Sequence, residues 1–295
     1  MADQKKIGKY EIIERVGSGD MGTVYKAKDP RLNRFVAIKV ISPDTKITEE
    51  LRQRFFTEAQ ASAGLSHPNI VAIYDIDEEG DLLYTVMELL DGQDLRRLIA
   101  ERSDVAVEDK VSALMQVCGA LHHAHGKGMV HGNLKPGKIV VQKDGSAKII
   151  DFGSKKLAAT TAGGIAAAAL RYMSPEHATG NADPRSDQYS LAAVFYELLG
   201  LKPPYSGDDS KQILEQLKSG RPQALLELDP TIPVDLAKVI DKAMSKSPGD
   251  RYADLNAMRT DLEAVQKRVA EEADVVRKKL GEQLTELDKL DADVG

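Results

Sequence analysis

The sequence has no tryptophan and a single cysteine, Cys118, and aromatic residues make up only 5% of it. One cysteine excludes an internal disulfide bond and every metal site built from spaced cysteines. Apolar residues make up 42% of the 295 positions, so the chain is long enough for a core, which must be mainly aliphatic. Cys118 lies in the amphipathic stretch ALMQVCGALHHAH, where we expect a buried helical position. A lone buried thiol fits a reducing compartment, and we expect a cytoplasmic protein.

Long apolar runs are absent as well. No stretch reaches 18 consecutive apolar residues, and the N-terminus MADQKKIGKYEII lacks the apolar core of a signal peptide. We therefore predict no membrane span in this chain. The formal net charge of −6 has the wrong sign for a surface that binds phosphate backbones, so we expect no nucleic-acid partner.

The pattern of apolar residues changes near Gly92. Before it, alternating stretches such as YEIIERV, RFVAIKVI and LLYTVMEL predict strands, with one helix over residues 49–64. After it, amphipathic stretches with helical periodicity dominate. We assign residues 1–90 to a strand-rich unit, 91–265 to a helix-rich unit and 266–295 to a C-terminal helical extension.

A glycine-rich turn lies between the first two long strands. The string GSGDMGTV contains Gly17, Gly19 and Gly22 and continues into a strand, not into the helix of a dinucleotide-binding turn. Glycines let a backbone approach phosphates closely. Downstream, VAIK ends in Lys39, and Glu58 lies on the following helix. Taken singly, these features also fit a hairpin, an exposed lysine and a solvated glutamate; their order favours a nucleotide site.

These strings together resemble the eukaryotic-type serine/threonine protein kinase domain, and most closely its bacterial members. The resemblance covers about residues 8–265 and rests on VGSGDMGTVYKAKD, VAIKVI, LSHPNIV, VMELLDG, VHGNLKP, IIDFG, RYMSPE and SDQYSLAAVFYELL. It implies an α+β, bilobal fold with a β-rich N-lobe, a helical C-lobe and a cleft for ATP between them. It also implies a buried large-lobe ion pair of Glu176 with Arg251, and an Asp187 that anchors the catalytic loop.

The resemblance further assigns roles to residues along the cleft. Lys39 would pair the phosphates and Glu58, and Asp151 of the DFG string would hold a metal ion. Mg²⁺ would therefore bind at one site at most, or not at all. Residues implied at the adenine and ribose end are Val24, Ala37, the gatekeeper Met87, the backbones of Glu88 and Leu90, Asp94 and Val140.

Two positions of the catalytic loop depart from the family pattern. Asn133 replaces the catalytic aspartate, and its neutral amide cannot take a proton from a substrate hydroxyl at neutral pH. Lys138 replaces an asparagine that ligates the second metal ion, and an ammonium cannot ligate a cation. Its charge could take the place of the metal and pair with Asp151 or with a phosphate, or its side chain could point to solvent.

Two further departures concern activation. Gly132 replaces the arginine that reads a phosphorylated activation loop in many kinases, so Thr160 and Thr161 are weak candidates for activating phosphosites. Ala169 replaces a threonine whose hydroxyl would meet the catalytic aspartate and Lys135. Lys135 is retained and could still contact a γ-phosphate.

The last thirty residues continue as an amphipathic helix. Apolar residues recur in steps of three and four from Leu262 to Leu287, an 11-residue repeat that predicts a nearly straight or slightly right-handed coil. Such a stripe must pack on something. It could dock on this chain's large lobe or on another domain; we favour pairing with a second copy over residues 262–290.

Three functions remain compatible with these residues. The leading hypothesis is a pseudokinase, a binding, scaffold or regulatory signalling module with protein partners, which binds ATP without efficient phosphotransfer. The second is an atypical, active serine/threonine kinase that uses one metal ion at Asp151. The third is an interaction protein whose cleft holds no nucleotide.

Overall fold

The structure, a computed structural model, describes residues 6–19, 22–41, 47–152 and 167–294. The N-lobe is a six-stranded antiparallel sheet with the order β1-β2-β3-β4-β6-β5. Helix α1, Glu49–Ala63, packs on β5 and β6, and the Thr48 side chain caps its first turn by accepting from the Leu51 N–H. The strands are β1 Lys6–Ile7, β2 Tyr10–Gly19, β3 Gly22–Asp29, β4 Arg34–Ile41, β5 Ile73–Glu79 and β6 Leu82–Met87.

The C-lobe joins a small antiparallel sheet to a group of helices. Its strands are β7 Gly92–Asp94, β8 Ile139–Gln142 and β9 Ala147–Ile149, in that order. A short 3₁₀ turn, Pro136–Lys138, precedes β8. The helices are α2 Leu95–Ala100, α3 Val107–Gly126, α4 Ala167–Leu170, α5 Pro175–Ala178, α6 Pro184–Gly200, α7 Ser210–Ser219, α8 Leu225–Leu228, α9 Val234–Ala243 and α10 Leu255–Val294. The α+β, bilobal fold expected from the sequence is confirmed.

Helices α3 and α6 form the centre of the C-lobe. Thirteen of the seventeen residues of α6 are buried, which is typical of a helix surrounded by other elements. Cys118 on α3 is buried as predicted, and burial raises the pKa of its thiol well above the usual range. The thiol is therefore protonated and packs as a small apolar side chain.

The lobes are joined behind the cleft by backbone hydrogen bonds. Val71 donates its N–H to the Ile149 carbonyl over 2.9 Å, and Ile149 donates to the Asn69 carbonyl over 2.9 Å. The Asn69 side chain donates to Gln116 on α3 and to the carbonyl of Ala147. Strand β9 is thus bonded directly to the N-lobe, two residues before Asp151.

Glu176 and Arg251 form the buried ion pair that the family resemblance implies. The guanidinium binds both carboxylate oxygens at 2.8 Å, and the Arg251 side chain is fully buried. Arg251 also donates to the carbonyls of Arg185, Ser245 and Lys246. A bidentate pair with every donor group engaged fixes the chain around α5, α6 and the start of α10.

Helix α10 is continuous over 40 residues and runs through the boundary predicted at residue 265. Its first part packs against α3 and α9, with Leu262, Val265 and Val269 buried in the C-lobe core. Ala273, the next position of the stripe, is half-buried. Docking on the large lobe therefore accounts for the N-terminal part of the stripe, and pairing with a second copy stays a prediction for the remainder. In the described part of the chain, no helix combines the length and apolar character that a membrane crossing needs.

Gly22 is expected to tolerate no side chain. Its φ is +143°, and an alanine Cβ would lie 1.8 Å from the Val40 carbonyl oxygen of the neighbouring strand. Gly22→Ala should lower the free energy of unfolding by about 2 kcal/mol or more, because strands β3 and β4 must separate locally. Thermal unfolding measures this, and Gly17→Ala is the matched control because its Cβ would meet nothing within 4 Å. Equal stability of the two variants would contradict the prediction.

Candidate nucleotide site

The glycine-rich turn is a tight hairpin between β2 and β3. Gly17 pairs with Val24 and Gly19 pairs with Gly22, so the three glycines lie around one strand reversal; residues 20–21 at its tip lie outside the described residues. Next to β3, strand β4 pairs Lys39 with Val24 on one side and with Thr85 of β6 on the other. Strand β4 therefore lies between β3 and β6, and Lys39 is on the strand next to the glycine hairpin.

Three charged groups meet below the hairpin. The Lys39 ammonium lies 2.7 Å from Oδ1 of Asp151, and the Lys138 ammonium lies 2.5 Å from Oδ2. The side chains are 18%, 12% and 11% exposed for Lys39, Lys138 and Asp151. The alternative in which Lys138 points to solvent is wrong, because its ammonium is buried against the carboxylate.

The carboxyl group of Asp151 is ionised in this arrangement. Burial alone would raise its pKa, but the adjacent ammonium groups of Lys39 and Lys138 outweigh burial and hold the pKa well below the usual range. Its backbone has φ +65°, in the left-handed region. At neutral pH the cluster of Lys39, Asp151 and Lys138, here called the lysine–aspartate cluster, carries one net positive charge.

Glu58 on α1 faces the same region. It lines a largely apolar cavity of ≈ 80 Å³ together with Lys39, Asp151, Phe152 and Met87. This cavity lies between α1 and the sheet, behind the gatekeeper position. Lys39 forms an ion pair with Asp151, and pairing of Lys39 with Glu58 stays a prediction.

Four of the predicted adenine-pocket residues come together in one apolar cluster. These are Val24 of β3, Ala37 of β4, Met87 at the end of β6 and Leu90 of the connection between the lobes. The fifth, Val140, lies on β8 of the C-lobe sheet, paired with Asp94 and Lys148. Sequence reasoning missed three further members of the cluster: Val71, Leu89 and Ile150. An apolar slot between two lobes is the surface that a flat, mainly apolar base requires.

The connection between the lobes is held by an ion pair that the sequence did not reveal. The Glu88 N–H donates to the Ala72 carbonyl over 2.9 Å, so its own carbonyl is the backbone group left for an adenine edge. Its carboxylate pairs with Lys148 at 2.8 Å. The carboxylate of Asp94 caps α2 by accepting from the Arg97 N–H over 2.9 Å, and its predicted ribose contact stays a prediction.

The catalytic loop keeps its shape through Asp187. This buried carboxylate accepts from the backbone N–H groups of His131, over 2.7 Å, and Gly132, over 2.8 Å, and from His125 Nε2. The sequence suggested this anchoring role. Burial opposes ionisation of Asp187, but these hydrogen bonds, first among them that of His125, keep its pKa below the usual range.

His131 adds a second set of fixed contacts. Its ring is fully buried, and burial lowers its pKa, so the imidazole is neutral. Its Nε2 lies 3.1 Å from the Ile150 carbonyl, and its Nδ1 accepts from the Asn133 N–H over 3.2 Å. The loop is therefore tied to Ile150, which precedes Asp151, and the backbone N–H of Asn133 is held by His131. The role of the Asn133 side chain at the position of the base stays a prediction.

The other three altered positions share a small pocket beside the loop. Gly132, Asn133 and Ala169 line it together with the retained Lys135 and with Tyr172 and His177. Gly132 has φ +66°, which glycine adopts without strain. The site thus has neither a carboxylate at position 133 nor a hydroxyl at position 169. Thr160 and Thr161 lie outside the described residues.

The side chains of this site do not fit a pair of magnesium ions. Mg²⁺ requires oxygen ligands in near-octahedral geometry and is held in such sites by carboxylates and phosphates. Both oxygens of Asp151 bind ammonium groups, and Lys138 replaces the other oxygen ligand. Among the described residues, no group of three or more His, Cys, Asp or Glu side chains could hold a metal ion.

Comparison with known proteins agrees with this geometry. The protein kinase domain family matches residues 10–262. Serine/threonine-protein kinase PknL of Mycobacterium tuberculosis is 38% identical over 267 residues, which span 89% of this chain and 67% of PknL. Serine/threonine-protein kinase PrkC of Bacillus subtilis is 36% identical over 260 residues, which span 86% of this chain but only 40% of PrkC.

Solved structures give the same result for the fold. The crystal structure of the Mycobacterium tuberculosis PknI kinase domain superposes with a TM-score of 0.70 at 27% identity, covering 90% of this chain and 99% of that domain. The lobes, the cleft and the curated relatives lead to one conclusion: this chain belongs to the protein kinase family, among the bacterial serine/threonine kinases of the eukaryotic type.

Proposed function

We propose that this chain is a pseudokinase, a protein that binds ATP in its cleft and acts as a signalling or scaffold module without efficient phosphotransfer. The observation that carries the proposal is the lysine–aspartate cluster beside Asn133. Asp151 is the acidic group that would bind a metal ion, and both of its oxygens are engaged by lysines. Asn133 has no basic atom that could accept the proton of a substrate hydroxyl.

The intact parts of the site support nucleotide binding. The glycine hairpin, Lys39 and the apolar cluster around Met87 supply the phosphate and adenine ends of a nucleotide site. The two sets are adjacent in one sheet, since Val24 of the adenine end pairs with Gly17 on one side and with Lys39 on the other. Retention of these groups beside an altered catalytic loop favours a binding role over catalysis.

A phosphotransfer assay tests the proposal. Transfer of the γ-phosphate from labelled ATP and Mg²⁺ to the chain itself or to a generic protein substrate should not exceed that of Lys39→Ala. Nucleotide binding, measured as a rise in the unfolding temperature on addition of ATP, should occur in the unaltered chain and be weaker in Lys39→Ala. Turnover that is robust and disappears in Lys39→Ala would overturn the pseudokinase proposal.

An atypical active kinase is the second candidate, because the curated relatives named above are called serine/threonine-protein kinases. Phosphoryl transfer depends largely on positioning and electrostatics, so loss of a base slows the reaction without abolishing it. This candidate requires one metal ion at Asp151. It gains support if turnover depends on Mg²⁺ and falls in Asp151→Asn, and it fails if turnover is absent or indifferent to that change.

A further inference from the structure

Lys138 is fixed beside Asp151 by the backbone as well as by its charge. Its N–H donates to the Lys135 carbonyl over 2.8 Å, and its own carbonyl accepts from the Ile150 N–H over 3.0 Å. Residue 138 is therefore bonded to the residue that immediately precedes Asp151. Because both backbone groups of Lys138 are hydrogen-bonded at the end of the 3₁₀ turn, its side chain starts from a fixed position close to Oδ2 of Asp151. The contact therefore follows from the backbone structure and does not depend on one rotamer of a surface lysine.

Lys138 adds one positive charge to the part of the cleft that would face the phosphates. With asparagine at position 138, Lys39 and Asp151 would form a cluster without net charge, and divalent cations would have to supply the positive charge that a polyphosphate needs. Here two ammonium groups surround one carboxylate, all nearly buried, and interactions between charges are stronger at such depth than in water. The cluster can attract a polyphosphate directly.

The same cluster opposes a divalent cation. A metal ion that approaches Asp151 meets two ammonium groups, which lie 2.7 and 2.5 Å from the carboxylate oxygens. These ammonium groups repel the ion and compete with it for the same oxygens. Binding of Mg²⁺ must therefore work against two ion pairs, whereas binding of a phosphate keeps the lysines and gains charge-assisted hydrogen bonds.

From this geometry we infer that the cleft takes its nucleoside triphosphate as the metal-free anion, with Lys138 as a resident cation in place of magnesium. The inference rests on the proposed function in one respect, that a nucleotide binds. It adds the ionic form of the ligand and the residue that selects it. Lys138 is thus a specificity-determining residue of the nucleotide site.

The experiment compares ATP affinity in excess EDTA with ATP affinity in excess Mg²⁺, by calorimetry and by thermal unfolding. The unaltered chain should bind ATP in EDTA at least as tightly as in Mg²⁺. In Lys138→Asn, the affinity in EDTA should fall by about tenfold or more, since one charge-assisted contact is lost, and Mg²⁺ should restore it. Lys138→Arg, which keeps the charge, should retain binding in EDTA.

Lys143→Met is the matched control, because Lys143 follows the same strand but pairs with Asp91 in solvent, with a side chain 78% exposed. Its affinities should equal those of the unaltered chain in both conditions. The unfolding temperature of each variant without nucleotide shows that it is folded before its affinity is compared.

Two results would overturn the inference, and they separate it from the proposed function. ATP that binds only with Mg²⁺, in a chain without phosphotransfer, refutes the metal-free form and leaves the pseudokinase intact. Absence of ATP binding in both conditions refutes the inference together with the nucleotide-binding part of the proposed function, and favours an interaction protein with an empty cleft.

Discussion

Changing Asn133 to Asp and Lys138 to Asn together is expected to raise the rate of γ-phosphate transfer by about 10²–10⁴, the range that a positioned general base typically contributes. The loop already holds position 133 through His131 and Asp187, so a carboxylate placed there would occupy the site of the base. Asparagine at position 138 would release Oδ2 of Asp151 and supply an oxygen ligand. The measurement is kcat with labelled ATP and Mg²⁺.

Neither single change should give this gain alone. With Asn133→Asp alone, Lys138 still occupies Asp151 and excludes the metal; with Lys138→Asn alone, the substrate hydroxyl still lacks a base. The effects of residues that act as one unit do not add, so the double variant should exceed the product of the singles. Gly132 and Ala169 remain altered, and for this reason the rate should stay below that of an active kinase.

Asn256→Asp combined with Lys143→Asn makes the same chemical changes on exposed positions away from the cleft. This control should leave the transfer rate at the level of the unaltered chain. A double variant at 133 and 138 that binds ATP with Mg²⁺ yet transfers no faster than the control would contradict the prediction. It would show that the loop geometry, and not the identity of these two residues, limits the chemistry.

Much of the fold could be predicted from the sequence because local patterns and motifs agree. The helix expected over residues 49–64 is α1, Glu49–Ala63, and the strands around the glycines and VAIK lie where alternation placed them. Cys118 is buried as its helical context indicated. These features depend on residues close together in sequence, which is the range over which periodicity carries information.

The orientation of the Lys138 side chain could not be predicted from such local patterns. A lysine in the short string KPGKIVV is compatible with solvent or with a charge partner, and the partner is thirteen residues away. The choice depends on how the 3₁₀ turn is bonded to Ile150, a tertiary contact. The pair of Glu88 with Lys148, sixty residues apart, is another case. Only the folded chain brings such groups together.

The C-terminal helix shows the limit of periodicity itself. The apolar steps of three and four run evenly from Leu262 to Leu287, whereas the residues of this stripe found in the C-lobe core are Leu262, Val265 and Val269. A regular stripe indicates that one face is apolar and does not indicate what covers it.

Glu176→Gln is expected to lower the free energy of unfolding by about 3–5 kcal/mol at pH 7, because it leaves the fully buried Arg251 charge without its counter-ion. This corresponds to a fall in unfolding temperature of roughly 5–8 °C for a chain of this size. Thermal unfolding at pH 7 measures it. Glu101→Gln, which removes the exposed partner of Arg97, is the matched control and should leave the unfolding temperature unchanged.

The effect of Glu176→Gln should also depend on pH in a direction set by the ion pair. Burial alone would raise the pKa of Glu176, but the hydrogen bonds from Arg251, Ser174 and Ser186 outweigh burial and lower this pKa to about 2. In an unfolded chain the pKa of a glutamate is about 4.3. A depressed folded pKa gives stability that is complete above pH 4.3 and is lost as the pH falls towards 2. The unaltered chain and the variant should therefore converge in stability between these values, because a protonated Glu176 leaves Arg251 as unpaired as glutamine does. A stability gap that stays constant from pH 7 to pH 2.5 would show that the variant fails through packing and not through the lost charge.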